Sequence, residues 1–281
     1  MGTKIALSPR RARSVTFAYP ADFDPAWSGA VPEFACAANS VSLMMPFVEP
    51  YVARSVRVVI DRLDDPELRI QASAYVSQEL AHQVQHRRFN DLIAEQCRGV
   101  RTLERLMARV YRRLAARPNA GSHLAFAAGS EAVAFAAARW AAEHRRELFA
   151  TAEPAATELF VWHLAEEVEH KAVAFDVFQA IDGSRRRYAW GMVLSFVLLA
   201  VFTVLGTTLQ LWHRRRLFHP LATLRLVRWS LGFLFELLPA MLLSALPGHH
   251  PRDLTDPPFL VQWLREHDDG AREPREPAAV A

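Results

Sequence analysis

One segment, Trp162 to Phe178, limits what this chain can fold into more than any other. It reads WHLAEEVEHKAVAFDVF, and its first half places acidic or imidazole side chains at positions 163, 166, 167, 169 and 170 before the sequence turns apolar. An exposed helix carries such groups at little cost, whereas a buried carboxylate is costly unless it is paired or bound to a metal. The segment therefore predicts either a solvated helix or a buried one that binds cations.

The rest of the chain is also predicted to be helical. Only 11 of the 281 residues are glycine, and long stretches contain neither glycine nor proline. Ala, Leu, Arg and Glu dominate these stretches, and these residue types favour helix. No run alternates β-branched with polar residues as a half-buried strand does. The predicted fold class is therefore all-α.

Composition argues against several functional classes. The net charge is only +3, which gives no reason to expect a nucleic-acid partner. The two cysteines, Cys36 and Cys97, are too few for a disulfide framework and suit a reducing compartment. The first residues, MGTKIALSPRRARS, contain no apolar stretch of the kind that a secretory signal needs.

Four regions are predicted along the chain. They are an irregular lead-in over 1–38, a metal-binding helical bundle over 39–184, an apolar helical hairpin over 185–250, and a polar tail with one short helix over 251–281. Within the bundle, Pro50 is predicted at the first position of the first helix. Ser122 or Ser130 is predicted to cap the third long helix. The fourth is predicted to run unbroken from about residue 153 to 180.

The apolar region has the composition of a membrane segment. No charged side chain occurs between Tyr188 and Trp212, and this run is longer than the roughly 20 residues that a helix needs to cross a bilayer. A second apolar run, 229–246, is interrupted by Glu236 and Pro239. We expect membrane contact through 188–246, either as a spanning hairpin or as an in-plane anchor. The alternative is an apolar helix pair packed on the bundle.

Two predicted helices each place a Glu-x-x-His pair within a narrow stripe. With about 100° between successive residues, positions at offsets 0, 3, 4 and 7 share one face of a helix. The two stripes consist of Glu79, His82 and His86, and of His163, Glu167 and His170. Glu166 is predicted at the edge of the second stripe, and Glu169 is predicted to point into solvent.

Two isolated glutamates complete a pattern that suits two metal ions. Glu49 lies on the first predicted helix, and Glu131 lies in the apolar segment GSEAVAFAAARW of the third. A four-helix bundle can hold a metal pair with one Glu from each of two helices and a Glu-x-x-His from each of the other two. Oxygen and nitrogen ligands without thiolates favour iron, with manganese or zinc as alternatives. We therefore predict a ferritin-like four-helix bundle with an appended apolar C-terminal helical pair.

The predicted metal ligands are Glu49, Glu79, His82, Glu131, His163, Glu167 and His170. His86, Glu166 and Tyr75 are predicted to contact these ligands from outside. For His163 and His86, both a ligand role and an outer hydrogen-bonding role stay open, and Tyr75 could also be plain core.

A competing interpretation is that these residues form solvated helix faces, paired with arginines such as those at positions 87, 88 and 145. Such pairing accounts for Glu79 and Glu169. It does not account for Glu131, which lies among alanines.

The segments ANSVSLMMPFVEPYVARSVR, QELAHQVQHRRFN and WHLAEEVEHKAVAFDVF resemble a bacterial family described as predicted metal-dependent hydrolases, over roughly residues 25–265. The ligand pattern is also similar to that of carboxylate-bridged di-iron oxygenases of the p-aminobenzoate N-oxygenase type. That similarity implies that His163 is a seventh ligand. It also implies a further acidic residue before the first helix, where this chain has Phe47 and Val48.

Three functions are compatible with these features. The first is a di-iron oxidase or oxygenase that activates dioxygen, takes electrons from a donor, and oxidises a small or lipophilic substrate. The second is a hydrolase that uses a water activated by two metals. The third is a membrane-attached metal-binding protein without activity. The expected location is the cytoplasmic side of the bacterial membrane, and the oligomeric state is left open.

Overall fold

The computed structural model describes residues 12–267, which fold mainly into helices. The helices are α1 (Pro32–Arg57), α2 (Pro66–Gln96), α3 (Val100–Ala115), α4 (Ala120–Glu143), α5 (Arg145–Phe149), α6 (Pro154–His170), α7 (Val173–Ile181), α8 (Arg185–His213), α9 (Pro220–Ala245) and α10 (Pro258–Glu266). No β-strand occurs within 12–267, so the all-α prediction is confirmed there. The ferritin-like assignment and the division into four regions stay predictions. The start of the lead-in (1–11) and the end of the tail (268–281) lie outside the described residues.

The first helix begins earlier than predicted. Pro32 occupies its first turn, whereas Pro50 lies inside the helix together with Pro46, so the prediction for Pro50 was wrong. Because proline has no N–H, the Ser42 carbonyl loses its usual helical donor, the N–H at position 46. Asn90 Nδ2 of α2 donates to that carbonyl at 2.9 Å. A neighbouring helix thus compensates for the internal proline, and α1 continues through it.

The start of the third long helix also differs from the prediction. Asn119 caps α4 by accepting a hydrogen bond from the Ser122 N–H at 2.9 Å, so neither Ser122 nor Ser130 is the cap. Ser130 lies inside α4, where its hydroxyl donates to the Ala127 carbonyl at 2.8 Å. Asparagine is as good an N-cap as serine, and it lies directly before the first helical residue.

The fourth predicted helix is divided in two. It ends at His170 as α6 and resumes at Val173 as α7. Lys171, which follows α6, is buried and forms an ion pair with Asp256 beyond α9. The first part is anchored by α10, whose Leu260 and Leu264 belong to the same apolar cluster as residues of α6. The C-terminal segment therefore covers one side of α6.

Helices α1, α2, α4 and α6 surround the interior that contains the predicted ligands. α8 packs along both α4 and α1, so it forms part of the wall of the bundle. The backbones of α8 and α4 lie close together at Gly191 of α8. A Cβ atom at this position would overlap the Ala125 carbonyl of α4, so only glycine fits. At the other end of α8, Gln210 Nε2 donates to the Cys36 carbonyl of α1 at 3.0 Å. Contacts thus fasten α8 to the bundle from end to end.

Helices α8 and α9 are both long and apolar enough to cross a membrane. Only 28% of the most apolar stretch of α8 and 17% of that of α9 are buried. Most residues of these stretches are therefore at least partly exposed, although Leu237 and Met241 of α9 belong to one apolar cluster with Val133 of α4 and Met192 of α8.

The hydrogen bond from Asn90 to the Ser42 carbonyl predicts a stability effect that depends on Pro46. We expect Asn90→Ala to lower the free energy of unfolding by about 1–3 kcal/mol, because a buried carbonyl loses its donor. In a Pro46→Ala background, the restored N–H can serve that carbonyl, so the same substitution should cost less. Urea denaturation of the four proteins measures this difference, and an equal cost in both backgrounds would contradict the explanation.

Candidate metal centre

The predicted ligands lie together in the interior of the bundle. They form two groups, and within each group one ligand atom per residue lies within 4.8 Å of the others. The first group is Glu49, His82 and His163, and the second is Glu79, Glu131, Glu167 and His170. All are buried except His163, which is partly exposed. Four helices therefore each contribute to one shared volume.

Glu167 lies between the two groups. Its Oε1 atom is 3.2 Å from His163 Nε2 and 3.8 Å from His82 Nδ1, both in the first group. The same atom is 3.8 Å from His170 Nδ1 in the second group. A carboxylate in this position can contact ions held by either group, as a bridging ligand does.

Many atoms that face this volume have no hydrogen-bond partner among residues 12–267. These atoms are the two carboxylate oxygens of Glu49, Oε2 of Glu131 and Nδ1 of His82. Glu79 Oε1 and His170 Nδ1, which also face the volume, form an ion pair with each other at 2.8 Å. Buried polar atoms are almost always paired, and a buried carboxylate without a partner is especially costly. Cations would satisfy all these atoms at once, so the donor set fits two divalent metal ions.

The electrostatics of the cluster reflect this crowding. Burial raises the pKa of Glu49, and the carboxylates of Glu79 and Glu167 raise it further. Burial acts on Glu167 in the same direction, but the hydrogen bond and charge of His163 outweigh it and lower the pKa of Glu167 to about 2. Burial opposes a charge on His170, yet Glu79 raises the pKa of His170 to about 9. Both shifts favour the protonated forms of Glu49 and His170, so a bound cation would compete with protons at these two groups.

The outer nitrogens of two imidazoles are fixed by hydrogen bonds. His82 Nε2 donates to Glu166 Oε2 at 2.9 Å. Gln78 Nε2 donates to Glu169 Oε2 at 3.0 Å, so Gln78 Oε1 is the acceptor for His170 Nε2, also at 3.0 Å. In both rings Nε2 is thus the outer donor, and Nδ1 faces the cluster. At His170, Nδ1 lies 2.8 Å from Glu79 Oε1 and carries the proton that a cation would displace. Outer hydrogen bonds of this kind orient the ring of a metal-binding histidine.

The third imidazole, His163, is oriented by a chain of polar groups. Ser42 Oγ donates to Asn90 Oδ1 at 2.7 Å, so it accepts from His86 Nδ1 at 2.8 Å. His86 Nε2 then accepts from His163 Nδ1 at 2.6 Å, because burial lowers the pKa of His86 and keeps the ring neutral. Nε2 is therefore the His163 nitrogen that faces Glu167, with Oε1 at 3.2 Å, and a cation bound there would take the place of the proton between them. His86 has an outer hydrogen-bonding role in this arrangement.

Tyr75 holds the isolated glutamate of α4. Its hydroxyl donates to Glu131 Oε1 at 2.7 Å, while Glu131 Oε2 faces the cluster without a partner. Burial raises the pKa of Glu131, and the neighbouring Glu167 and Glu79 raise it further. Only one oxygen of Glu131 is thus left for a cation.

The guanidinium of Arg13, in the lead-in, binds two carboxylates outside the cluster, those of Glu166 and Glu169. Arg13 Nη1 donates to Glu166 Oε1 at 2.7 Å, and Arg13 Nη2 donates to Glu169 Oε1 at 3.0 Å. Trp162 Nε1 also donates to Glu166 Oε1, at 3.0 Å. Glu169 is buried, so the prediction that it points into solvent was wrong. The lead-in covers that face of α6, which helical periodicity alone does not predict.

A cavity of about 130 Å³ lies beside the cluster. Glu49, Glu131 and His163 line it at the cluster, and Ser195 and Leu199 of α8 line it elsewhere. The remaining walls are mainly apolar and include Met44, Met45, Val48, Val133, Phe160 and Leu164. No lysine or arginine among the described residues lines the cavity. Glu79 and Glu167 also line the cavity at the cluster, so that end is acidic, whereas the rest of the cavity is suited to an apolar group.

Fold and site together define a class: an all-helical protein whose interior contains candidate ligands for metal ions. A family model described as predicted metal-dependent hydrolase matches residues 11–255, and the chain belongs to that family. The resemblance to this family that the sequence showed is thereby confirmed, while the similarity to di-iron N-oxygenases stays a prediction. No curated protein and no solved structure gives a significant match. The role of each side chain as a ligand stays a prediction.

The ion pairs of Arg13 predict a long-range effect on metal affinity. We expect Arg13→Ala to weaken metal binding by about 10- to 100-fold, because Glu166 and Glu169 lose the group that holds them against His82 and Gln78. Titration with Mn²⁺ or Zn²⁺ measures the affinity. Arg101→Ala is the matched control, since Arg101 also pairs with two carboxylates but is exposed. Equal affinity in the Arg13 variant and the wild type would contradict the prediction.

The raised pKa values predict that metal binding releases protons. His170 binds its proton below a pH of about 9, and Glu49 also holds one more tightly than usual. Because a cation must displace these protons, affinity should rise with pH from about 7 to about 9. Calorimetric titration in buffers of different ionisation enthalpy counts the released protons. Affinity that does not change over this range would contradict the prediction.

Proposed function

We propose that this protein is a dinuclear metal-dependent hydrolase that acts on neutral substrates with an apolar acyl group. The observation that carries the proposal is the set of unpartnered carboxylate and imidazole atoms that surround one buried volume. Membership of the predicted metal-dependent hydrolase family supports the reaction type. The mainly apolar lining of the cavity away from the ligands supports a substrate with an apolar acyl group, such as an ester or amide.

The two groups of ligands would each hold one ion. Glu49, His82 and His163 would hold the first, and Glu79, Glu131 and His170 the second, with Glu167 between them. Bound there, the ions would supply a water of lowered pKa as nucleophile and would polarise the carbonyl of the substrate.

The residues of the chain provide the conditions for that chemistry. The outer hydrogen bonds hold each imidazole in one orientation, and the Tyr75 hydroxyl donates to one oxygen of Glu131. The apolar walls of the cavity would bind the acyl group. The cavity, about 130 Å³, is close to the size of an engineered cavity of about 150 Å³ that holds benzene. It would therefore suit a short acyl or aromatic group.

A second candidate is dioxygen activation at a di-iron centre. Four carboxylates and three imidazoles with no thiolate favour iron or manganese over zinc, and this observation supports the candidate. Iron would supply the reduction of dioxygen, while the cavity would hold a small or lipophilic substrate for oxidation. An electron donor would then be required. The two candidates share the same ligands and differ in the metal and in the co-substrate.

One set of assays separates the candidates. Protein loaded with Mn²⁺, Zn²⁺ or ferrous iron is assayed with p-nitrophenyl butyrate, with p-nitrophenyl phosphate, and for consumption of dioxygen. We expect saturable hydrolysis of the butyrate ester that falls by about 100-fold or more in His170→Ala, because this variant lacks a ligand. His219→Ala, which removes an exposed imidazole, should retain the activity.

Other outcomes would contradict the hydrolase proposal. Dioxygen consumption by the ferrous protein without ester hydrolysis would favour the oxygenase. Metal binding without either reaction would favour a protein that binds metal without catalysis. Equal metal content in the wild type and in His170→Ala would remove the basis for both enzymes.

A further inference from the structure

The outward sides of α8 and α9 together form an extended apolar surface, which we call the apolar face. It includes Val193, Val197 and Val201 of α8 and Phe235, Leu238 and Leu242 of α9, each at least 42% exposed. Isolated exposed apolar residues are common on soluble proteins, but an extended surface of them marks a contact with a partner or a membrane.

We infer that the apolar face docks onto a lipid bilayer, with α8 and α9 lying in the plane of the membrane and neither of them crossing it. Length and composition alone would also permit two spanning helices. The contacts that the inner side of α8 makes with the rest of the protein decide between these two orientations. It does not depend on the reaction at the metal centre.

The stripe of exposed residues on α8 runs the length of the helix. Trp190 and Trp212 lie at its ends, and both are largely exposed, at 73% and 64%. At about 100° per residue, the two rings and Val193, Val197 and Val201 all fall within about 120° of the helix circumference. Tryptophan prefers the boundary between headgroups and acyl chains. When α8 lies in the plane, both rings reach that boundary together with the valines between them.

The inner side of α8 is fastened to the bundle along the same length. Tyr188 packs edge-on against Phe175 of α7, with ring centroids 5.2 Å apart. Near the other end, Arg214 forms an ion pair with Asp24 of the lead-in at 2.7 Å. If α8 crossed the bilayer, the elements beside it would enter the hydrocarbon at the same depth.

One of these elements cannot enter the hydrocarbon at low cost. Leu103 of α3 lies beside Gly206 of α8. The outer side of α3 carries exposed arginines, among them Arg105, Arg112 and Arg113. Charged side chains in the middle of a bilayer are strongly disfavoured. An in-plane orientation can leave α3 in water, whereas a spanning one cannot.

Charge at the ends of α8 complements a membrane surface. The exposed Arg186 and Arg215 lie within a few residues of Trp190 and Trp212. Arginines next to interfacial tryptophans can reach anionic headgroups while the apolar face contacts the acyl chains. The partner with this chemistry is an anionic bilayer, since a second copy of the chain would place these arginines near each other.

Docking would also bring the cavity close to the lipid. Ser195 and Leu199 of α8 line the cavity, whereas Val197 and Val201 of the same helix belong to the apolar face. One helix thus separates the cavity from the bilayer.

A vesicle-binding assay with a matched control tests the docking. Val197→Glu should lower partition of the full-length, metal-loaded protein onto phosphatidylcholine–phosphatidylglycerol vesicles by about tenfold or more, because it places a charge in the apolar face. Val84→Glu is the control, since Val84 of α2 has the same exposure, 45%, as Val197 but lies outside the apolar face. Equal loss in both variants, or no loss in either, would overturn the inference. Both variants should retain wild-type metal content, which separates this result from a failure of the metal centre.

Measuring the depth of labels in the bilayer distinguishes an α8 that lies in the plane of the membrane from an α8 that spans it. Nitroxide labels are attached to Trp190→Cys, Val201→Cys and Trp212→Cys, while the native Cys36 and Cys97 are buried. In-plane docking predicts similar, shallow depths at all three positions. A deep label at position 201 between shallow ends would show spanning and overturn the inference. Sedimentation without lipid tests whether the apolar face binds a second copy of the chain. If the protein does not bind vesicles but forms a dimer that Val197→Glu dissociates, the apolar face is a dimer interface and the inference is wrong.

Discussion

The rest of this structure depends on one constraint, the placement of several carboxylates in a volume shielded from water. Burial and mutual repulsion both raise the pKa of Glu49 and of Glu131, which makes the ionised cluster unfavourable without cations. A protein can avoid that cost by protonating the acids, by pairing them or by binding metal. Here three imidazoles each direct one nitrogen into the same volume, and a cation that displaces the protons of the cluster would find both nitrogen and oxygen ligands there.

Side chains outside the cluster hold the three imidazoles in that orientation by hydrogen bonds. Each has a different partner on its far nitrogen: Glu166 for His82, the Gln78 amide for His170, and His86 for His163. These partners lie on helices or are anchored to them, so the orientation of each ring is fixed before a ligand arrives. Outer groups of this kind set ligand orientation and metal affinity as much as the ligands do.

Composition predicted the all-α class, and helical periodicity predicted most of the residues that converge, because periodicity depends on geometry within one helix. The Glu-x-x-His pairs share a face for that reason, and Glu131 stood out as a lone charge among alanines. Tertiary contacts were not predictable in this way. The ion pairs of Arg13 with Glu169 join residues far apart in sequence, and the passage of α1 through Pro46 depends on a side chain of another helix.

The most direct test of the central claim is anomalous diffraction from crystals of metal-loaded protein. The account predicts a pair of anomalous peaks inside the bundle, one next to Glu49 and His82 and the other next to Glu79 and His170, with Glu167 between them. An interior without anomalous density in fully loaded crystals, or metal bound only at exposed histidines, would contradict it.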